Sequence, residues 1–311
     1  LITLPDDSSR DLPEGSSGFD LAKDIGPGLA KSAVAISVNG EQRDLHDAIE
    51  ADASVSIITI DSDAGIEIMR HTLTAQVLAR AIKNLYPESQ LAIGPTIEDG
   101  FYYDVETNET ISIDDLQKIE DEMKDIIKTK SSITKKLVSK PEALKIFKSL
   151  KEPYKQEIIN DSDQQDDFQL YYQDQDEFVD LCKGPHLPNL SFIGSFKLTK
   201  VSGAYWQGDS KNNMLTRIYG TAWKNDKDLE KYLNTIEEAV KRDHRKLGKE
   251  MDLFHFQDEA PGMVFWHPYG WNIYKTLQNY IRAKLDKNDY LEINTPQVVD
   301  RKLWEASGHW D

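Results

Sequence analysis

The sequence has almost no cysteine and no long apolar run. Among its 311 residues only Cys182 has a thiol, which excludes an internal disulfide framework and fits a reducing compartment. No stretch approaches the roughly 20 consecutive apolar residues of a membrane-spanning helix. Residues 1–5 show neither the basic region nor the small-residue cleavage site of a secretion signal. These absences predict a cytoplasmic protein without a membrane partner.

Positive charge is also scarce. The chain has 37 Lys and Arg against 54 Asp and Glu, a formal net charge of −17. Because affinity for phosphate comes mainly from Lys and Arg, this balance argues against indiscriminate nucleic-acid binding. One compact basic cluster interrupts the pattern, and charge alone explains it equally well as a solvated helix face or as a local RNA-binding surface. Its cations are Lys241, Arg242, Arg245 and Lys246.

The length and the hydrophobic fraction of 39% predict two or three domains with real cores. Residues 1–61 have the pattern of a small α+β unit. A strand pattern at 33–38 precedes Asn39 and Gly40, a dipeptide typical of hairpin turns. Residues 19–25 have the pattern of a short amphipathic helix laid across the sheet.

Helical patterns dominate two later segments. Apolar residues recur at helical spacing from about 65 to 86, which predicts a helix with one buried stripe. A mixed α/β stretch follows, and a long charged helix is predicted at 227–249. Aromatic, amphipathic sequence then continues to Asp311, where the pattern stops without a cap or a closing strand, as if interrupted there.

The sharpest local signal is the segment DLCKGPH at 180–186. Cys182 and His186 lie four residues apart on a Gly-Pro bend, so that a thiol and an imidazole can converge on one small volume. Such a pair suits a metal site or the polarisation of a reacting group. An arbitrary Cys-x-x-x-His is more often a buried cysteine beside a surface histidine, so the surrounding sequence has to decide.

Three further runs, at 94–104, 203–209 and 217–223, combine glycine with aromatic residues. Glycine lets a ligand approach the backbone, and aromatic rings offer stacking faces. Aromatic residues that fill a core, with glycine at the turns, explain each run equally well when it is taken alone.

In this order and spacing, the runs closely resemble those of bacterial-type threonyl-tRNA synthetase, and the resemblance covers essentially the whole chain. It extends to segments 259–267 and 290–296, which resemble the entry to a class II catalytic domain and its motif 1. The resemblance implies an α+β, multidomain fold. Its parts are a β-grasp TGS domain (1–61), an α+β editing domain (62–224), a linker helix (225–250) and the truncated start of a class II antiparallel-sheet domain (251–311).

The family's editing domain hydrolyses serine that has been attached to threonine tRNA by mistake. Serine lacks only a methyl group of threonine, a difference worth about 1–3 kcal/mol, so a second, hydrolytic site supplies the remaining fidelity. We therefore expect tRNA(Thr) as the partner, with the basic cluster on its phosphates. Carried over residue by residue, the resemblance implies an editing pocket of His71, Tyr103, Lys155, Asp180, Cys182 and His186.

One helix departs from the family pattern. The family has His-x-x-x-His there, with both rings on one helical face, about 40° apart. Here Ala75 is four residues after His71, and Gln76, five residues after it and about 140° away on a regular helix, looks like the replacement of the second histidine. One residue looks inserted, and a π-bulge would restore the convergence.

This departure affects the chemistry. A glutamine amide cannot act as a general base and is a poor metal ligand, so we expect no metal in this pocket. Three functions remain open. They are a hydrolase that edits seryl-tRNA, a tRNA-binding module with a weakened or inactive editing site, and a free-standing metal-dependent hydrolase.

Class II motifs 2 and 3 and the family's Cys/His/His zinc site have no counterpart in these residues. The resemblance therefore implies no cofactor for this chain itself. It implies ATP, Mg²⁺ and Zn²⁺ for the catalytic domain that the chain lacks, and a homodimer through motif 1 for the full-length protein. A protein made only of these residues should not activate threonine.

Overall fold

The computed structural model describes residues 1–174, 177–296, 300–308 and 310. They form two compact units, Leu1–Leu233 and Asn234–Asp311.

The first 61 residues form a five-stranded sheet with helices beside it. Its elements are β1 (Ile2–Thr3), β2 (Ser9–Arg10), α1 (Gly18–Ile25), α2 (Pro27–Ser32), β3 (Ala33–Val38), β4 (Glu41–Asp44) and β5 (Ala53–Thr59). The strand order is β2-β1-β5-β3-β4, in which β1 and β5 are parallel and the other neighbours are antiparallel.

Local sequence explains the limits of these elements. Asn39 and Gly40 have φ angles of +51° and +88°, as a hairpin turn of this dipeptide requires. Ser17 and Asp20 form a capping box at the start of α1. The sequence pattern missed α2, whose first residue is Pro27. Proline suits that position because the first N–H groups of a helix have no partner within it.

One long helix begins the next part of the chain, as predicted. It consists of α3 (Asp63–Thr72), a π-helical segment (Leu73–Leu78) and α4 (Ala79–Leu85). All six residues of the π segment are buried. A π turn contains one residue more than an α turn, so this segment accommodates the additional residue seen in the sequence.

The remaining elements of the first unit are two antiparallel sheets and their helices. The elements are β6 (Gln90–Leu91), β7 (Thr96–Ile97), β8 (Gly100–Glu106), α5 (Leu116–Lys128), β9 (Ile133–Val138), α6 (Lys140–Ser149), α7 (Pro153–Asp161), β10 (Phe168–Gln173), β11 (Phe178–Leu181), β12 (Ser195–Tyr205) and β13 (Met214–Trp223). One sheet has the order β12-β13-β8-β6, with β7 also paired to β8, and the other has the order β11-β10-β9. The predicted α+β class is confirmed.

The largest core of the first unit crosses residue 61. Ala35 and Ile58 of the first sheet belong to the same buried cluster as Met69 and Leu73 of the long helix. A smaller cluster lies within residues 1–61. Residues of the β-grasp sheet therefore form part of the surface on which the long helix packs.

The second unit contains helices and one pair of two-residue strands in its described part. They are the end of α8 (Asp226–Lys241), α9 (His244–Glu250), β14 (Phe254–His255), β15 (Phe265–Trp266), α10 (Pro268–Asp286) and α11 (Arg301–Ala306). Strands β14 and β15 pair with each other. None of the helices in the described ranges is long and apolar enough to cross a bilayer.

One expectation for this region needs correction. The single helix predicted at 227–249 is interrupted, because Asp243 leaves the helical conformation and its side chain accepts from the Arg245 N–H at 2.8 Å, capping α9. Residues 290–296, which resemble motif 1, have neither strand nor helix in this structure, and their assignment to motif 1 stays a prediction.

Candidate active site

The candidate site is formed where the last turn of α3 meets the loop after β11. His71 lies in that turn, and Cys182 is the first residue after β11. Their side chains meet, with 2.9 Å between Cys182 Sγ and His71 Nε2. The fold thus brings together two residues that are 111 positions apart in the sequence.

Gly184 shapes the loop. Its φ is +67°, and a Cβ atom at this position would lie 1.9 Å from the Tyr171 hydroxyl oxygen, so only glycine fits. The chain turns back here toward α3. As a result, the Pro185 carbonyl oxygen lies 3.2 Å from His71 Nδ1.

Hydrogen bonds determine which nitrogen of His71 has the proton. The Pro185 carbonyl only accepts, so Nδ1–H of His71 donates to it. The other nitrogen, Nε2, then presents its lone pair to the Cys182 thiol. This is the arrangement in which an imidazole accepts a proton from a thiol or from a water held beside it.

His186 is held in the same tautomer by Thr72. The Thr72 hydroxyl donates to the Ile68 carbonyl at 2.8 Å, so its oxygen accepts from Nδ1–H of His186 at 3.2 Å. The Nε2 atom of His186 is buried and has no hydrogen-bond partner among the described residues. It keeps a free lone pair next to the pair of His71 and Cys182.

Burial lowers the pKa of both histidines, because the charged imidazolium loses its hydration. The two rings are stacked, with 4.4 Å between their centroids. The neighbouring His71 lowers the pKa of His186 further, since two positive charges would repel at this distance. Both imidazoles are therefore neutral near pH 7 and able to accept protons.

A buried ion pair forms the other side of the site. Lys155 Nζ lies 2.6 Å from Asp180 Oδ1, and the Tyr103 hydroxyl donates to Asp180 Oδ2 at 3.2 Å. Burial raises the pKa of Asp180, and the ammonium of Lys155 opposes that shift. Burial also raises the pKa of Tyr103, which keeps its proton and remains a donor.

These groups surround a cavity of about 550 Å³. His71, Lys155, Asp180 and Cys182 line it directly. Tyr103 and His186 are not in its lining and stand behind it, through Asp180 and His71 respectively. The six residues implied by the family resemblance thus lie together, four at the cavity surface and two in support.

Gln76 is not in this cavity. Ala75 lines it beside His71, while the Gln76 carbonyl and amide oxygens both accept from Gln173 Nε2, at 2.6 and 3.2 Å. The π-helical segment exists as the sequence suggested, yet it directs Gln76 toward β10. The residue four positions after His71, where the resemblance implies a second histidine, therefore offers only the methyl group of Ala75 to the cavity.

The basic cluster lies in the second unit and is largely neutralised by neighbouring carboxylates. Lys241 is 2.9 Å from a Glu237 oxygen, and Arg245 is 2.6 Å from an Asp243 oxygen. Arg242, directly after α8, pairs with Glu238 of that helix, and Lys246 pairs with Glu250 of α9. These exposed pairs reduce the net positive field that RNA phosphates would meet.

Three side chains could offer ligands to a metal ion. One ligand atom each of His71, Cys182 and His186 lies within 4.8 Å of the others. Three is the number that a catalytic zinc takes from its protein. However, a sulfur and a nitrogen bound to one tetrahedral zinc lie about 3.5 Å apart, from bonds of about 2.3 and 2.0 Å. The 2.9 Å between Cys182 and His71 fits a hydrogen bond better, and the expectation of no metal remains a prediction.

Several residues of the site were not predicted from the sequence. Ala75, Gly94 and Pro95 line the cavity, and Thr72 and Tyr171 hold His186. The glycine-rich run at 94–104 contained a signal for Gly94 and Pro95. A single threonine or tyrosine gives no such signal, because its role depends on contacts made by distant segments.

Two family models match the chain. Residues 1–59 match the model described as "TGS domain", and residues 169–219 match "Threonyl and Alanyl tRNA synthetase second additional domain". The second match contains Asp180, Cys182 and His186. Together with the fold and the site, these matches define the class as an aminoacyl-tRNA synthetase with a TGS domain and a second additional domain.

Curated relatives identify the family within that class. The whole chain is 52% identical to a threonine–tRNA ligase of Prochlorococcus marinus and 51% identical to those of Hahella chejuensis and Saccharophagus degradans. It covers 48% of each of these relatives, so it spans about half their length. The chain belongs to the threonyl-tRNA synthetase family, a class II family, and corresponds to its N-terminal part. The predicted resemblance is confirmed.

Proposed function

We propose that this chain hydrolyses mischarged seryl-tRNA(Thr) to free serine and tRNA(Thr). The observation that supports this most strongly is the cavity in which the His71–Cys182 pair faces the Lys155–Asp180 pair. An ester bond placed between a proton acceptor and a cation has the two groups that its hydrolysis needs.

In the proposed reaction a water molecule lies beside His71 and Cys182. Its oxygen attacks the ester carbonyl carbon while its proton passes to the neutral acceptor pair. Lys155 stabilises the negative charge that develops on the carbonyl oxygen. The ester C–O bond then breaks, and the ribose oxygen of the tRNA takes up the proton. Serine and tRNA leave, and no redox partner is needed.

The test is hydrolysis of seryl-tRNA(Thr), with threonyl-tRNA(Thr) as the counter-substrate. We expect selective release of serine, and a loss of about 100-fold or more in rate for Cys182→Ala. Lys128→Ala is the matched control, because Lys128 is an exposed lysine that does not line the cavity. Equal rates for the wild type and Cys182→Ala would refute the proposal.

A second candidate is a tRNA-binding module without chemistry of its own. The methyl group of Ala75 at the place of the second histidine favours it. The same experiment separates the two, since a binding module would retain tRNA on a filter and release no serine.

A third candidate is a metal-dependent hydrolase, favoured by the convergence of His71, Cys182 and His186. Metal content of the purified chain distinguishes it from the first.

We propose that the longer protein to which these residues belong attaches threonine to tRNA(Thr), with ATP, Mg²⁺ and Zn²⁺ used by residues outside this chain. We further propose that it acts as a homodimer in the cytoplasm, where Cys182 would stay reduced.

A further inference from the structure

An acidic residue of the first sheet contacts the candidate site from outside its motifs. Asp44 is the last residue of β4, the edge strand of the β-grasp sheet, and pairs with Ala35 of β3. The Asp44 side chain is only 15% exposed, because it points against the loop that contains His186.

Both carboxylate oxygens of Asp44 bind groups of the site. Oδ1 accepts from the backbone N–H of His186 at 2.8 Å, and Oδ2 accepts from the Tyr171 hydroxyl at 2.7 Å. Tyr171 in turn meets the His186 ring edge-on, with 4.4 Å between the ring centroids. One carboxylate therefore holds the backbone of His186 and the aromatic ring that packs against its imidazole.

A lysine keeps the carboxylate in place. Lys135 Nζ lies 2.9 Å from Asp44 Oδ2 and 2.5 Å from Asp47 Oδ2. Lys135 is on β9 and is directly opposite Tyr171 of β10. The sheet thus holds Lys135 and Tyr171, the two side chains that contact Asp44, next to each other. Asp47 contacts Lys135 but not Tyr171.

The same loop determines the position of the other histidine. Pro185, one residue before His186, gives its carbonyl oxygen to His71 Nδ1. The two histidine rings are stacked on each other. Without the anchor on the His186 N–H, both the proton position of His71 and the stacking would lose support.

We propose that Asp44 is a positioning residue for the hydrolytic site, so that the β-grasp domain completes that site. The inference rests on the proposed hydrolysis of seryl-tRNA. If Asp44 only joined two domains, its loss would lower the stability of the protein. The rate at which bound seryl-tRNA is hydrolysed would then stay unchanged. If it positions the histidines, its loss lowers kcat while KM stays the same.

Three variants of the full chain separate these outcomes. Asp44→Ala removes both acceptors, and we expect kcat for seryl-tRNA(Thr) to fall about 10- to 100-fold with KM within about twofold. Asp44→Asn keeps an oxygen for the His186 N–H and should recover kcat to within about threefold of the wild type. Asp47→Ala removes the other carboxylate that pairs with Lys135. Asp47 contacts neither His186 nor Tyr171. This variant should stay within about twofold of the wild type.

Hydrogen exchange of the His186 amide tests the anchor without relying on activity. The chain has seven histidines, so labelling with ¹⁵N-histidine gives at most seven amide signals, and His186→Gln identifies the relevant one. We expect faster exchange of that amide in Asp44→Ala and unchanged exchange in Asp47→Ala.

The activity and the exchange measurements can refute the proposed hydrolysis and the role of Asp44 independently. A wild type that releases no serine refutes the proposed hydrolysis, and the exchange data then still decide whether Asp44 fixes the loop. Unchanged exchange in Asp44→Ala overturns the inference, and so does an equal fall of kcat in Asp44→Ala and Asp47→Ala.

Discussion

Lys155 Nζ and Asp180 Oδ1 are 2.6 Å apart, and both side chains are almost completely buried. Removing one partner of such a pair leaves an uncompensated charge in the interior. We expect Lys155→Met to lower the free energy of unfolding by about 3–5 kcal/mol, and the double change with Asp180→Leu to cost less than the single one. Urea unfolding of both variants measures this. A single-variant cost below about 1 kcal/mol would show that the pair is not ionised when buried.

The lowered pKa values of His71 and His186 predict a pH dependence of stability. An unfolded histidine has a pKa of about 6.5, so between that value and the lowered folded values the unfolded chain binds more protons. The free energy of unfolding therefore falls as the pH falls below about 6.5. Above that pH the contribution of these two histidines is constant.

The matched variant for that prediction is His186→Gln. Its charged or titratable neighbours are Cys182, His71 and Asp44. We expect a smaller fall in melting temperature between pH 7 and 5 than in the wild type. Asp180, whose pKa burial raises, contributes with the opposite sign in both proteins and cancels in the comparison. Identical pH profiles would mean that His186 is not desolvated.

Gln76 should be dispensable for hydrolysis. Its side chain meets Gln173 and does not line the cavity, and its amide nitrogen has no partner among the residues described here. We expect Gln76→Ala to change the rate of serine release less than about threefold, and to change stability by about 1 kcal/mol in either direction. A tenfold loss of rate would place Gln76 in the reaction after all.

The purified chain should contain far less than one metal ion per molecule, and a zinc chelator should leave serine release unchanged. The reason is the 2.9 Å between Cys182 Sγ and His71 Nε2, which is shorter than the separation of about 3.5 Å expected for two ligand atoms on one zinc. Elemental analysis of protein prepared without chelators measures this. One equivalent of zinc, with activity lost on its removal, would instead establish a metal-dependent hydrolase.

Lys183 lies at the cavity and is exposed, so we expect it to contact a phosphate near the end of the tRNA. Lys183→Ala should weaken binding and lower the slope of log affinity against log salt by about 0.7–0.9. Lys246→Ala, whose cation already faces a glutamate, should lower it less. Fluorescence titrations at several salt concentrations measure both. A larger effect of Lys246 would restore the basic cluster as the RNA contact.

The sequence predicted which residues of the site come together better than it predicted their orientation. Motif residues such as His71 and Cys182 were predictable because their types and spacing follow the family, and the fold places them in contact. The direction of the Gln76 side chain was not predictable. It depends on where in the π-helical segment the extra residue is accommodated. The contact of Asp44 with His186 joins positions 142 residues apart and has no local pattern.

Secondary structure shows the same division. The helix at 63–85 and the hairpin turn at Asn39 follow from periodicity and from turn chemistry, which are local. The break at Asp243 depends on a competition between one side chain and the backbone, which periodicity does not report.

The buried cluster shared by Ala35, Ile58 and Met69 affects how this protein can be divided. A gene cut at residue 61 would leave an apolar face on each piece, and both would tend to aggregate on expression. Swapping either domain between relatives would require matched side chains on both sides of that face. The first 61 residues therefore serve as one side of the core of the following domain, and the two are best expressed as one piece.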